Sequence, residues 1–76
     1  PSSTLRNELM LLIVKAGYKY AVMSVDQKKA ERYTETLKNY NNFASLFTDQ
    51  ETKKEAEMYS GYCLKELERL KETNKK

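Results

Sequence analysis

The scarcity of residues that turn a chain constrains this sequence more than any other feature. Two glycines and one proline occur in 76 residues, whereas average usage of roughly 7% and 5% would give about nine. Hairpin turns and bulges depend on these residues, because glycine adopts positive φ and proline presets the turn. The sequence therefore favours helices joined by few connections, with room for a single hydrophobic core.

The first helix is predicted over residues 4–25 from a long repeat of apolar residues. Successive members are separated by four, three, four, four and three residues, which places them on one face of a helix. They are Leu5, Leu9, Leu12, Ala16, Tyr20 and Met23. A second apolar face comes from Met10, Leu11, Ile13 and Val14, so this helix is expected to have neighbours on two sides. Gly17 interrupts the helix at a cost of about 1 kcal/mol, which favours close approach by a neighbouring side chain such as a tyrosine.

Two capping signals divide the rest of the chain. Ser24 with Gln27, and Thr48 with Glu51, have the form of a capping box, in which a hydroxyl and a carboxyl or amide side chain bond the first backbone N–H groups of a helix. One turn of the chain is expected at each box.

A second helix is predicted over residues 27–47 and a third over residues 49–72. The inner face of the second helix is formed by Ala30, Tyr33, Leu37, Tyr40, Ala44 and Phe47, and that of the third by Ala56, Tyr59, Cys63, Leu67 and Leu70. Two short connections between helices of similar length predict a single domain over residues 1–76. Its fold is expected to be an all-α, antiparallel up-down-up three-helix bundle.

The inventory of reactive side chains is thin. Histidine is absent and Cys63 is the single cysteine, which excludes a disulfide framework and every zinc pattern built from Cys and His. The carboxylate pairs four residues apart lack the Glu-x-x-His motifs of di-iron bundles. Cys63 has apolar residues at helical spacing and is expected to be a buried, inert thiol. The sequence therefore predicts no catalytic residue, no metal and no cofactor, in a protein that is not an enzyme.

Charge is spread along the chain. Fourteen Lys and Arg against eleven Asp and Glu give a net charge of +3, and residues 48–76 carry seven of each sign. Nucleic-acid modules usually concentrate basic residues on one face or arm, so no nucleic-acid partner is expected. The longest apolar run, residues 9–14, is far shorter than the roughly 20 residues that cross a bilayer. A lone thiol without a signal-peptide pattern favours the cytoplasm.

Tyrosine is unusually frequent. The six tyrosines are Tyr18, Tyr20, Tyr33, Tyr40, Tyr59 and Tyr62. Because tyrosine has an apolar ring and a polar tip, it suits both the boundary of a small bundle and a protein interface. For each tyrosine alone, packing is the simpler interpretation. Together with Phe43 and Met58 they favour an amphipathic groove that accepts an apolar helix of a partner.

Two stretches resemble the microtubule-interacting and trafficking (MIT) domain. Residues 33–40 (YTETLKNY) are similar to the Tyr-Glu-Glu-Ala-Leu-x-x-Tyr pattern of its second helix. Residues 64–71 (LKELERLK) are similar to the Leu-x-Arg-Ala-Glu-x-Leu-Lys pattern of its third helix. MIT domains are three-helix bundles of nearly this size, which fits the predicted order of elements. Helical hairpins of the tetratricopeptide type share part of this pattern.

The resemblance implies a non-enzymatic protein-interaction module, cytoplasmic and endosome-associated, that binds short C-terminal motifs of ESCRT filament subunits in a groove beside the third helix. Leu64 takes the position of the family's apolar groove contact and Glu68 that of its groove-edge carboxylate. The sequence departs from the family where Glu66 replaces an arginine, Leu67 an alanine and Cys63 a tyrosine. A module with a different ligand is therefore an equal expectation. The predicted partner-binding residues are Leu64, Glu68, Tyr40, Tyr62 and Glu66.

Three other interpretations stay open at this point, and one of them is a basic nucleic-acid binder, whose affinity should fall steeply with salt. A secreted or viral helical effector that binds a host protein would have a similar composition, and its full-length chain would carry a signal peptide. The two apolar faces of the first helix also fit a bundle that completes its core by forming a homodimer.

Overall fold

The chain folds into three α-helices that pack against one another. The computed structural model describes residues 2–74, with side chains described for residues 5–72. Helix α1 spans Ser2–Met23, α2 spans Asp26–Phe43 and α3 spans Gln50–Asn74. Every pair of helices is in contact, and the described residues contain no strand. The predicted all-α three-helix bundle is confirmed.

The first connection is close to the predicted position, but the predicted capping box does not form. The Ser24 hydroxyl donates a hydrogen bond to the Tyr20 carbonyl at 2.8 Å, so Ser24 closes the last turn of α1. Val25 is the N-cap of α2 and makes no side-chain capping hydrogen bond. A hydroxyl at the end of one helix bonds its own preceding turn as readily as it caps the next helix, which explains the difference.

The second connection contains a 3₁₀ turn at Ala44–Leu46, so α2 ends earlier than predicted. The cap of α3 is Asp49, whose carboxylate accepts hydrogen bonds from the Thr52 N–H at 3.1 Å and from the Thr52 hydroxyl. Thr48, the predicted cap, is bonded to Asn7 of α1: the Asn7 amide donates to the Thr48 hydroxyl at 2.8 Å, and the Thr48 N–H donates to Asn7 Oδ1 at 3.0 Å. A tertiary contact has replaced the local cap.

Only one of the two apolar faces predicted for α1 lies against the other helices. Its buried residues are Asn7, Met10, Val14 and Ala21. The first predicted face is exposed at every position: Leu5, Leu9, Leu12, Ala16, Tyr20 and Met23. Both faces are apolar, and fit decides between them: the Gly17 side lets α2 approach so closely that a Cβ on Gly17 would lie 2.6 Å from Thr36 Oγ1. The close approach predicted at Gly17 is confirmed, although the neighbour is a threonine. The two predicted neighbours of α1 are α2 and α3, but both pack on the side of Met10 and Val14, so the other apolar face is not covered within the single chain.

The inner faces of α2 and α3 largely match the predicted ones. Tyr33, Tyr40, Ala56 and Cys63 are buried. The half-buried residues that pack against these are Leu37, Ala44, Phe47, Tyr59, Leu67 and Leu70. Ala30 is exposed, contrary to the prediction. The core is thus formed by side chains of α2 and α3 that pack against the buried face of α1.

Candidate functional site

One candidate site lies on the flank of α3 beside α2. Glu57, Gly61, Leu64 and Glu68 are separated by four, three and four residues, so they form one row along the helix. The Tyr40 hydroxyl of α2 donates to Glu57 Oε2 at 3.4 Å, which places this row next to α2. We call these four residues the acidic flank of α3.

The acidic flank offers an apolar contact between two carboxylates. Leu64 is 52% exposed, and Glu57 and Glu68 are exposed on either side of it along the row. A Cβ built on Gly61 would have no atom within 4 Å, so the helix surface is open there. This combination makes a shallow surface. A partner segment with an apolar side chain next to a basic one fits it.

Tyr40 lies in the core. Its exposed fraction is 9%, and it packs in a cluster with Val14 and Ala56. Burial, followed by the nearby Glu57 carboxylate, raises the pKa of the Tyr40 phenol. The role of Tyr40 as a partner contact stays a prediction; in the structure its hydroxyl donates to the Glu57 carboxylate, and its ring is covered.

Tyr62 and Glu66 lie on the other flank of α3. The Tyr62 ring packs on Tyr18 of α1, with ring centroids 5.6 Å apart. Glu66 Oε1 accepts hydrogen bonds from Arg69 Nη2 at 2.6 Å and Nε at 3.2 Å, and these bonds lower the pKa of the Glu66 carboxyl. The predicted site residues are thus divided between two flanks of α3 and the core.

Most of the tyrosines serve packing. Tyr18 lies among three other rings, with centroid distances of 6.2 Å to Tyr33 and 5.6 Å to Tyr59, besides its contact with Tyr62. Burial is the main cause that raises the pKa of Tyr18 and of Tyr33. Offset and tilted ring pairs of this kind stabilise small cores, so the tyrosine cluster belongs to the fold.

A second candidate surface is the outer face of α1. We define it as the apolar residues that point away from α2 and α3: Leu5, Leu9, Leu12, Ile13, Ala16, Tyr20 and Met23. From Leu5 to Met23 the row covers five turns of 3.6 residues, so it runs straight for about 27 Å. Among residues 5–72, most of the exposed large apolar side chains belong to α1. Contiguous exposed apolar surface of this kind marks interaction sites in soluble proteins.

The single thiol has no reactive surroundings. Cys63 is fully buried, and burial raises the pKa of its thiol from the ordinary value of 9.0 to about 11. The thiol is therefore protonated at neutral pH, and a protonated thiol is a poor nucleophile. The predicted burial of Cys63 is confirmed.

Sequence reasoning missed Glu57 and the exposure of the outer face of α1. The spacing of seven residues between Glu57 and Leu64 is two helical turns and could have placed Glu57 on the same flank. The two apolar faces of α1 have the same kind of spacing, so spacing alone does not tell which of them is buried. Comparisons with protein-family models, with curated proteins and with solved structures find no match to this chain. None of the helices in the described part of the chain is both long and apolar enough to cross a membrane. The resemblance to MIT domains stays a prediction.

Proposed function

We propose that this chain is a non-enzymatic protein-interaction module that binds a short amphipathic segment of a partner along the acidic flank of α3. The observation that carries this proposal is the exposed Leu64 in a row with two exposed carboxylates, Glu57 and Glu68. Large apolar side chains surrounded by charged rims are the usual anchors of peptide recognition.

The chemistry of the flank specifies the partner segment. An apolar side chain of the partner covers Leu64, and lysine or arginine side chains on either side of it pair with Glu57 and Glu68. Tyr40 positions the first carboxylate from the core. The open surface at Gly61 lets the backbone of the bound segment come close to α3. C-terminal tails of ESCRT filament subunits are the partner class that the MIT resemblance implies.

Binding of labelled tail peptides, measured by fluorescence anisotropy, tests this proposal. Leu64→Asp is expected to weaken binding at least about tenfold, because a charge replaces the apolar anchor. Its melting temperature stays near that of the parent, because Leu64 is half exposed. Glu68→Lys is expected to weaken binding less and to reduce its sensitivity to salt, since a rim charge mainly affects association.

Met58→Asp supplies the matched control, because Met58 is 45% exposed on α3 but lies outside the acidic flank. It should leave peptide binding unchanged. Equal losses for Leu64→Asp and Met58→Asp would show that the acidic flank is not the site. A parent chain that binds no tail peptide rejects the ESCRT ligand, and a basic amphipathic peptide of scrambled tail sequence then tests the general interaction.

A further inference from the structure

We propose that the outer face of α1 binds the same face of a second copy of this chain, with the two α1 helices antiparallel. This surface is separate from the acidic flank of α3, so the inference does not rest on the proposed function. A dimer formed in this way carries two acidic flanks. It can bind two motifs of one partner at once, which raises the apparent affinity because the second binding event is intramolecular.

The composition of α1 favours a covered outer face. Charged residues are excluded from an arc about 100° wide between residues 5 and 23, and this is the width of a stripe that normally faces a core. The opposite arc is already buried against α2 and α3. A helix that is apolar on both sides is typical of a buried element.

The row of side chains is self-complementary when two copies run antiparallel. With the twofold axis at residue 14, Leu5 lies against Met23 of the second copy and Leu12 lies against Ala16 of the second copy. A large residue then meets a small one at the centre, which is the arrangement that lets two helices pack closely. A twofold interface repeats each of these contacts twice.

The charges on one edge of the outer face select the antiparallel orientation. Glu8 and Lys19 lie on the same edge of α1 and are both exposed. In an antiparallel pair the same edges meet, so Glu8 of each copy approaches Lys19 of the other. In a parallel pair Glu8 faces the opposite edge, near Arg6 and Ile13 of the second copy. Lys19 then lies near Ser24 of the second copy and has no carboxylate of α1 to pair with.

The available area is sufficient for a stable dimer. Six large side chains of the outer face are between 44% and 86% exposed. A dimer that covers most of them on both copies buries roughly 1,000 Å² or more in total, the lower limit for a specific interface. A second copy therefore buries enough area on the outer face of α1, besides matching its row of side chains.

The other edge of the interface carries a like-charge contact. Arg6 lies on the edge of α1 that faces α2, and in the antiparallel pair it approaches the basic end of α2 in the second copy. Arg32 is at this end, stacked over the Tyr20 ring at 4.6 Å from its centroid. Replacing Arg6 with an acidic residue converts this repulsion into attraction, which gives the proposal a variant that gains affinity.

Sedimentation equilibrium of the chain over a range of concentrations tests the proposal. The parent is expected to form dimers, and Leu12→Asp is expected to weaken them at least about tenfold while the helical signal persists. Met58→Asp is the matched control and leaves the dimer unchanged. A parent that stays monomeric at high concentration overturns the proposal, and so does a dimer that Leu12→Asp does not weaken.

Charge variants test the orientation in the same experiment. Glu8→Lys and Lys19→Glu are each expected to weaken the dimer about two- to fivefold, and the double variant is expected to restore it. Arg6→Glu is expected to tighten the dimer while its helical signal and melting temperature stay near those of the parent. Failure of the double variant to restore affinity rejects the antiparallel pairing. A monomer that binds anionic vesicles through Leu12 would assign the outer face to a membrane surface and overturn the second copy.

Discussion

Gly17 of α1 lies directly against Thr36 of α2. A Cβ placed on Gly17 would be 2.6 Å from Thr36 Oγ1 and 3.4 Å from its Cβ and Cγ2 atoms. Thr36 is 2% exposed, and its hydroxyl donates to the Arg32 carbonyl at 3.0 Å. The threonine side chain therefore cannot turn away without losing a hydrogen bond and its packing. This contact sets the separation of α1 and α2.

Gly17→Ala is expected to lower the free energy of unfolding by about 1–2 kcal/mol. Overpacking of a tight core contact costs about 1–3 kcal/mol, and the better helix propensity of alanine returns up to about 1 kcal/mol of this. Urea denaturation followed by circular dichroism measures the difference. Combining Gly17→Ala with Thr36→Ala should recover part of the loss, because the second change removes the clashing atoms.

Gly61→Ala is expected to have the opposite effect. No atom lies within 4 Å of the position that its Cβ would take, so the alanine gains helix propensity without a clash. Stability should rise by about 0.5–1 kcal/mol, measured in the same denaturation experiment. A loss of stability at this position would mean that the α3 surface is covered there.

The two apolar faces of α1 show where sequence reasoning reached its limit. Periodicity identified the helix, but Leu9 and Val14 belong to rows of similar hydrophobicity on opposite faces. The choice between them depends on the fit of Gly17 to Thr36, a contact between residues that are far apart in sequence. On α3 one face is apolar and charged residues occupy much of the remaining surface. The core position of Cys63 on the apolar face was therefore predicted correctly.

The candidate site was predictable only in part. The spacing of Leu64 and Glu68 placed them together on a flank of α3, and both are exposed. The position of Tyr40 depends on a tertiary partner, the Glu57 carboxylate of α3. Glu66 instead pairs with Arg69, three residues further along α3 itself. Spacing along one helix fixes a row of residues, whereas the role of each residue depends on the helix that packs beside it.

Asn7 is expected to hold the connection between α2 and α3 against α1. Its buried amide makes two hydrogen bonds to Thr48, 41 residues away in the sequence. Asn7→Ala removes the acceptor of the Thr48 N–H, and the loss should be about 1–3 kcal/mol of stability. Hydrogen exchange at the Thr48 amide is expected to become faster than at other amides of the connection. Asn41→Ala is the control: this asparagine is exposed, and its replacement should change stability by less than about 0.5 kcal/mol.

Alkaline pH is expected to destabilise the fold through its buried thiol and phenols. Burial raises the pKa of the Cys63 thiol from 9.0 to about 11, and it also raises the pKa values of Tyr18 and Tyr33 above 10.0. In the unfolded chain these groups lose their protons at lower pH than in the folded chain. The free energy of unfolding should therefore be steady below about pH 8 and fall as the pH rises through 9 to 11.

Cys63→Ala separates the thiol from the tyrosines in this pH dependence. A raised pKa of this size corresponds to about 2–3 kcal/mol of stability, which is lost once the thiol is ionised in both states. The variant has no thiol, so its stability curve should stay level through pH 9 and fall only when the tyrosines begin to ionise above about pH 10. Its stability at neutral pH is lowered by the lost side-chain volume, which leaves the shape of the curve as the measured quantity. Denaturation at a series of pH values gives both curves, and identical shapes for parent and variant would mean that the thiol is not desolvated by the core.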